Sequence, residues 1–375
     1  MSGSSCTACQ PYSHCCSSSP PPPLYVDAQT GSDTTNTGTS PSSAFATLQR
    51  AALAATDNTT IFVANGTYRN PGFGSGGLSN MPAMSLIGLS FVVLTNLPGH
   101  APRIEFDGGG GISGVNMTWF EVRGFEIMGP SGGIAYEEAM ADRLLKSARF
   151  SGRGIAVKRG QHIHVHGNIV HHTPGAGILI DGSDYCTIEQ NVVYNTTWWT
   201  AGSDHGIIVE DSRSADAVDD VKIVIRKNTV FGNVNRVPAY SRRNPNSINN
   251  TAIFGGSGIL IANHERYHHG WSEIDSNLCF SNGVSGIKVL RAARVSISSN
   301  VVYGNGQVSR ATWQHQVDSG LELRAATNIS VWNNTISVTP PATLAQESGP
   351  QVTRTTLHTL WAPTLPCWRK RRPPL

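Results

Sequence analysis

The feature that most constrains this chain is a repeat of short strand patterns, each opened by a glycine and followed by an asparagine. The glycines are Gly154, Gly177, Gly206, Gly258, Gly286 and Gly320, and the asparagines are Asn168, Asn191, Asn228, Asn277, Asn300 and Asn334. Four of the six glycine-to-asparagine distances are 14 residues, and the shortest full repeat is 23 residues. Strands this short are stable only when successive repeats stack and bury a shared core.

Three strand patterns per repeat predict an all-β solenoid, a right-handed three-sided parallel β-helix over residues 24–341. The aliphatic residues one and three positions after each glycine should face inward, and the asparagines should form a hydrogen-bonded ladder between coils. Glycine is expected to supply backbone freedom at the corner. Residues 44–55 predict a short helix that caps the N-terminal end. The Ser/Pro/Cys-rich stretch 1–23 and the stretch 342–375 are predicted to be irregular or disordered tails.

The composition argues against several other classes of protein. Only 14% of residues are charged and 39 are glycine, which fits neither a helical bundle nor a disordered chain. The net charge of +3 includes the basic run 369–372, so the rest is near neutral and no nucleic-acid binding is expected. We find no apolar run that approaches a membrane span and no visible signal peptide. Cys186 and Cys279 lie in strand patterns and should be buried.

Several segments before the clear repeats add a further signal. They are Tyr25-Val26-Asp27, Phe45-Ala46-Thr47-Leu48-Gln49, Ile61-Phe62-Val63-Ala64-Asn65-Gly66-Thr67-Tyr68 and Trp119-Phe120-Glu121-Val122-Arg123-Gly124-Phe125. They resemble the opening of right-handed β-helix proteins of the pectate-lyase-like superfamily. The resemblance implies a carbohydrate-active protein, extracellular or on the cell surface, with a polysaccharide ligand; we expect a monomer.

Within that superfamily, the chain looks most like the polysaccharide lyases that bind calcium and use a lysine or arginine as base. His205 stands where those lyases carry an acidic residue. The position four residues after each glycine gives Lys158, Asp181 and Glu210 on successive coils. Lys158 and His205 are therefore the predicted catalytic residues. The predicted Ca²⁺ ligands are Asp181, Asp204 and Glu210.

The reaction expected from this resemblance is proton abstraction and β-elimination on a uronic-acid glycan. A solvated column of opposite charges is the alternative for the same residues. A non-catalytic glycan-binding or structural solenoid, and a glycoside hydrolase using Asp181 and Asp204, also stay open.

Other residues are candidates for binding. Arg159, Trp198 and Trp199 are the predicted substrate contacts; the two tryptophans lie on a loop insertion, where aromatic rings suit sugar rings or cover the apolar side chains that face outward. His162, His164 and His166 should face outward from one strand, where they form a solvated polar face; metal binding is the alternative.

Overall fold

The computed structural model describes residues 21–76, 79–241, 244–249, 251–264, 266–308 and 319–337. The predicted tails, apart from residues 21–23, therefore lie outside the described residues. The chain winds through three parallel sheets, here called A, B and C, and passes through them in this order once per coil. This arrangement is a three-sided parallel β-helix.

The strands are numbered in chain order. Sheet A contains β1 (Leu24–Val26), β2 (Thr60–Val63), β5 (Ser90–Asn96), β8 (Thr118–Arg123), β11 (Gln161–His166), β14 (Asp184–Glu189), β17 (Val221–Arg226), β20 (Trp271–Asp275), β23 (Ala293–Ser298) and β26 (Thr327–Trp332). Sheet B contains β3 (Thr67–Arg69), β6 (Arg103–Glu105), β9 (Glu126–Met128), β12 (Ile169–His171), β15 (Val192–Tyr194), β18 (Thr229–Phe231), β21 (Leu278–Phe280), β24 (Val301–Tyr303) and β27 (Thr335–Ser337). Sheet C contains β4 (Met84–Ile87), β7 (Gly110–Val115), β10 (Arg153–Lys158), β13 (Ile178–Asp181), β16 (Ile207–Glu210), β19 (Ile259–Ala262), β22 (Ser285–Leu290) and β25 (Ser319–Arg324).

Helices are short and lie outside the sheets. Helix α1 (Leu48–Ala54) falls inside the predicted range 44–55, packs against β4 and β1, and buries Leu48 and Ala51. Helix α2 (Tyr136–Asp142) lies in the insertion before β10. Single 3₁₀ turns occupy Pro41–Ser43, Ser131–Gly133, Ala148–Phe150 and Pro245–Asn249. Among the described residues we find no helix that is long and apolar enough to span a membrane.

One continuous apolar core fills the solenoid. On sheet C it contains Ile155 and Val157 of β10, Ile178 and Ile180 of β13, and the matching residues of the following coils, all almost fully buried. Cys186 and Cys279 also belong to this core, as predicted. Alternation of apolar and polar residues therefore sets which side of each strand faces inward.

The repeat glycines have a different role from the one expected. None of Gly154, Gly177, Gly206, Gly258 and Gly286 has a positive φ. A Cβ on Gly154 would lie 2.3 Å from Val170 Cγ1 and 2.6 Å from the carbonyl oxygen of Gly177 in the next coil. Glycine is thus needed because the coils approach closely at this corner, and the expectation of special backbone freedom there was wrong.

The predicted asparagine ladder is present at the corner between sheets A and B. The backbone N–H and Nδ2 of Asn191 donate to Oδ1 of Asn228, over 3.0 and 3.1 Å, and Nδ2 also donates to the carbonyl oxygens of Val165 and Glu189. The same pattern joins the asparagines from Asn168 to Asn334. The six coils that carry these asparagines are therefore tied one to the next by hydrogen bonds that are mostly buried.

Candidate functional site on sheet C

The predicted charged column lies in register on the outer side of sheet C. Lys158 pairs with Asp181, and Asp181 pairs with Glu210, on three successive coils. The column continues through the apolar Ala262 and Leu290 to Arg324, so Lys158, Asp181 and Glu210 are its run of three adjacent charged coils. All three charged residues are half-buried. The pairing places a potential base beside two carboxyl groups, while their chemical roles remain predictions.

Glu210 is the most perturbed acid of the column. Burial is the main cause that raises its pKa, and the nearby carboxylates of Asp204 and Asp181 add to the effect, so that the pKa reaches about 7. A carboxyl group with such a pKa exchanges its proton near neutral pH. This property is what a general acid or base requires.

Asp204 lies at the start of the same face and is paired with an arginine that sequence reasoning missed. Arg153 Nη2 donates to Asp204 Oδ1 over 3.1 Å, and the Asp204 side chain is only 8% exposed. The negative charge of Asp204 raises the pKa of Arg153, and Glu210 and Asp181 contribute in the same direction. Asp204 Oδ2 and Arg153 Nε are buried without a protein partner. Arg153 therefore interacts electrostatically both with Asp204, at the start of these strands, and with Asp181 and Glu210, at their ends.

His205 is buried beside the column, at the beginning of its coil. Its Nδ1 accepts a hydrogen bond from the backbone N–H of Ser257 over 2.9 Å. Burial lowers the pKa of His205 well below its usual range, and the positive charge of Lys288 adds to this effect. The imidazole is consequently neutral, with its proton on Nε2. The catalytic role predicted for His205 stays a prediction, because a backbone hydrogen bond of this kind also suits a histidine that only stabilises the corner.

On the outer side of sheet C, a row of apolar side chains lies between the Arg153–Asp204 pair and the column of Lys158, Asp181 and Glu210. Leu179, Ile208 and Leu260 point outward yet are only 1%, 2% and 5% exposed, and with Ala176 and Ala262 they form a cluster of their own. These side chains are therefore covered, but the loop residues Trp198 and Trp199 pack in a different apolar cluster. The row continues into Lys288, whose Nζ lies 3.1 Å from Glu322 Oε2.

The predicted substrate contacts do not gather at one place. Arg159 follows the column at the corner towards sheet A, is exposed, and donates from Nε to Asn116 Oδ1 over 2.9 Å. Trp199 is 4% exposed and donates from Nε1 to the Ser131 carbonyl, so it packs rather than presenting a free ring. Trp198 is half-buried under the guanidinium of Arg236, 3.9 Å from the ring centroid.

The predicted calcium ligands Asp181, Asp204 and Glu210 do not form a compact group. In the part of the chain that the structure describes, only Glu121, His164 and His166 bring three potential ligand atoms within 4.8 Å of one another. Asp204 Oδ1 is already engaged by Arg153 Nη2. Calcium binding therefore stays a prediction.

The outer side of sheet A carries a second group of side chains, a stack of aromatic rings that was not predicted from the sequence. Phe91, Trp119, His162 and Tyr185 stack on successive coils, with 3.9 Å between the Trp119 and His162 ring centroids. All four have positive φ, which turns their side chains into one column. Beside them a cavity of about 540 Å³ is lined by Glu121, His164 and the stacked rings. Phe91 and Trp119 belong to faint upstream coils, whereas His162 and Tyr185 belong to the clear repeats that begin at Gly154 and Gly177.

Comparisons with known proteins bear on the fold. Residues 95–253 match the family model described as "Right handed beta helix region". No curated protein sequence matches the chain. The solved structures with similarity include the Azotobacter vinelandii mannuronan C-5 epimerase AlgE6 A-module, at 17% identity, with 76% of this chain and 68% of that chain covered and a TM-score of 0.43. They also include pectate lyase Pel9A, at 17% identity, with 87% and 82% covered and a TM-score of 0.42. A third is the periplasmic alginate epimerase AlgG, at 13% identity, with 76% and 70% covered and a TM-score of 0.40.

The family model and the three-sheet topology agree with each other. The matched range 95–253 contains three of the six repeats, those that begin at Gly154, Gly177 and Gly206. The chain therefore folds as a right-handed three-sided parallel β-helix, as its repeat predicted.

Proposed function

We propose that the outer face of sheet C binds an acidic polysaccharide and cleaves it by β-elimination at a uronic-acid residue. The observation that carries this proposal is the register of Lys158, Asp181 and Glu210 on three successive coils, with the pKa of Glu210 raised to about 7. A repeating polymer suits a face on which equivalent positions recur once per coil.

In this proposal the chemistry is divided among three side chains. Lys158 takes the proton from C5 of the uronic acid, and the C–H electron pair forms a double bond between C4 and C5. The bond from C4 to the glycosidic oxygen breaks, and protonated Glu210 supplies a proton to the leaving oxygen. Arg153 neutralises the carboxylate of the sugar. Its guanidinium lies on this face, where the negative charges of Asp204, Glu210 and Asp181 raise its pKa. Ca²⁺, if it binds here, would share that last task.

Hydrolysis by paired carboxyl groups is the second candidate, and the raised pKa of Glu210 favours it specifically. A protonated Glu210 beside Asp181 offers the acid and the carboxylate that glycoside hydrolases use. The two reactions give different products. β-Elimination leaves an unsaturated sugar that absorbs in the ultraviolet, while hydrolysis produces new reducing ends without such absorbance.

The test is incubation of the full chain with a panel of uronic-acid polysaccharides, with added calcium and with a chelator, while ultraviolet absorbance and reducing ends are measured. General acid–base groups contribute roughly 10²–10⁴-fold, so Glu210→Gln and Lys158→Met should each reduce the rate at least about 100-fold. Glu273→Gln is the matched control, because Glu273 is also a half-buried glutamate but lies on sheet A. Full activity of both sheet C variants, or no turnover on any polysaccharide, would refute the proposal.

A glycan-binding protein without activity would give a third result. Binding of one of these polysaccharides would then be measurable, and it would survive Lys158→Met and His205→Ala. The same panel, used in a binding assay, separates this outcome from catalysis. An extracellular or cell-surface location is part of the proposal, since that is where such polysaccharides are found, and cell fractionation tests it.

A further inference from the structure

The structure brings two histidines and a glutamate together on the outer side of sheet A. His164 and His166 are two residues apart on β11 and face the same side. Glu121 of β8 is the direct neighbour of His164 in the pairing of these strands. The fold thus joins residues that are far apart in the sequence, and it does so on a sheet that the proposed cleavage site does not use.

The distances in this set fit the coordination of a small cation. Glu121 Oε1 lies 3.0 Å from His166 Nε2, and the ligand atoms of Glu121, His164 and His166 all lie within 4.8 Å of one another. Bonds of about 2.0–2.2 Å from a metal ion to nitrogen and oxygen place adjacent ligand atoms about 3–3.5 Å apart. Small side-chain rotations therefore suffice to bring all three donors onto one ion.

The surrounding charges hold the donor groups in place. Arg123 Nε lies 2.8 Å from Glu121 Oε1. On the other side, Glu189 accepts a hydrogen bond from His164 Nε2 over 2.8 Å and from Arg226 over 2.6 Å. Groups outside the ligand set that orient the ligands are a regular part of metal sites.

The environment leaves one side of the set open. The side chains of His164, His166 and Glu121 are 38%, 20% and 30% exposed. The cavity of about 540 Å³ beside the Trp119–His162–Tyr185 stack is lined by both Glu121 and His164. An ion held here would keep positions free for water or for a ligand in that cavity.

We propose that Glu121, His164 and His166 bind one divalent transition-metal ion, such as Zn²⁺, on the outer face of sheet A. Two imidazoles and one carboxylate favour zinc and its first-row neighbours over Ca²⁺ and Mg²⁺, which prefer sets made only of oxygen. The competing explanation is that the histidines only form ion pairs with Glu189 and Glu121.

The test is a zinc titration by calorimetry on the full chain, without a histidine tag and after treatment with a chelator. The cysteines of the N-terminal segment are replaced by serine in every sample, because thiolates bind zinc themselves. The parent should bind one ion per chain. Removal of a group that only orients a metal ligand already lowers the metal affinity roughly 10–100-fold. Removal of a ligand itself, in His164→Ala or His166→Ala, should therefore lower the zinc affinity at least about 100-fold.

His162→Ala is the matched control, because His162 lies on the same strand but belongs to the aromatic stack. It should leave the affinity within about threefold of the parent, a negligible change against the loss of a ligand. Glu121→Gln keeps the shape of the side chain and serves as the second variant if an alanine variant does not fold. Zinc should also raise the melting temperature of the parent and of His162→Ala only. No stoichiometric binding, or binding that these variants leave unchanged, overturns the proposal.

Discussion

Replacement of Asn228 by alanine removes a side chain that bonds to both neighbouring coils. Its Oδ1 accepts from the backbone N–H and Nδ2 of Asn191 over 3.0 and 3.1 Å. Its Nδ2 donates to the carbonyl oxygens of Ile188 and Arg226, over 2.9 and 3.0 Å, and to Oδ1 of Asn277. Because Asn228 is only 1% exposed, water does not replace these bonds.

The magnitude follows from the groups that lose a partner. The buried N–H of Asn191 is left without its acceptor, which costs about 1–3 kcal/mol, and each of the two lost bonds to backbone carbonyls costs about 0.5–1.5 kcal/mol. We therefore expect Asn228→Ala to lower the free energy of unfolding by about 2–6 kcal/mol. Urea unfolding followed by circular dichroism measures the loss, and hydrogen exchange of the Asn191 amide should become faster at the same time.

The matched control is Asn334→Ala, at the last described coil. Asn334 is half-buried and makes the same kind of bonds, but water reaches this end of the ladder. Because these bonds are partly exposed, the loss of Asn334 should cost less than that of Asn228. Equal destabilisation by the two variants would refute the argument, since it would mean that burial of the ladder does not set its strength.

Three further outcomes are expected. The pKa of Glu210, about 7, lies above the ordinary 4.5. Between these two pH values the folded chain keeps a proton that the unfolded chain loses, so the free energy of unfolding falls as the pH rises from 4.5 to about 7. Glu210→Gln should therefore raise the melting temperature at pH 8 and leave it unchanged at pH 4; the same shift at both pH values would contradict this. Arg153→Met leaves a buried carboxylate without its cation and should cost about 3–5 kcal/mol in urea unfolding, whereas Arg69→Met, at a 54% exposed ion pair, should cost less than about 1 kcal/mol; similar losses would count against the role of burial. Burial raises the pKa of the Cys186 and Cys279 thiols, so peptide mapping should find both unlabelled by a thiol reagent until the chain unfolds.

The architecture could be predicted because the same glycine-to-asparagine pattern occurs six times in the sequence. Each glycine fixes the start of a strand on sheet C, and each asparagine fixes the corner after sheet A. Counting four residues from the glycine placed Lys158, Asp181 and Glu210 in the register that the structure has. Repetition supplies alignment between coils that a single sequence normally lacks.

Residues that lie off this register could not be placed from the sequence. Arg153 immediately precedes a repeat glycine at the first position of β10, and the repeat pattern does not show which way its side chain points. The partner of His164 was equally hidden, because Glu121 belongs to an earlier coil without the repeat glycine. His162 shares the parity of His164 but has a φ of 55° and joins the aromatic stack instead.

The asparagine ladder has a consequence for how this molecule can vary. Neighbouring ladder residues are 23, 37, 49, 23 and 34 positions apart along the chain, yet the bonds between them keep distances of 2.9–3.1 Å. Extra residues therefore leave the coil at its corners and return without disturbing the buried rungs. The scaffold and its outer loops can change independently, so grafting or trimming a corner segment should alter what the surface recognises while the spine of the solenoid stays intact.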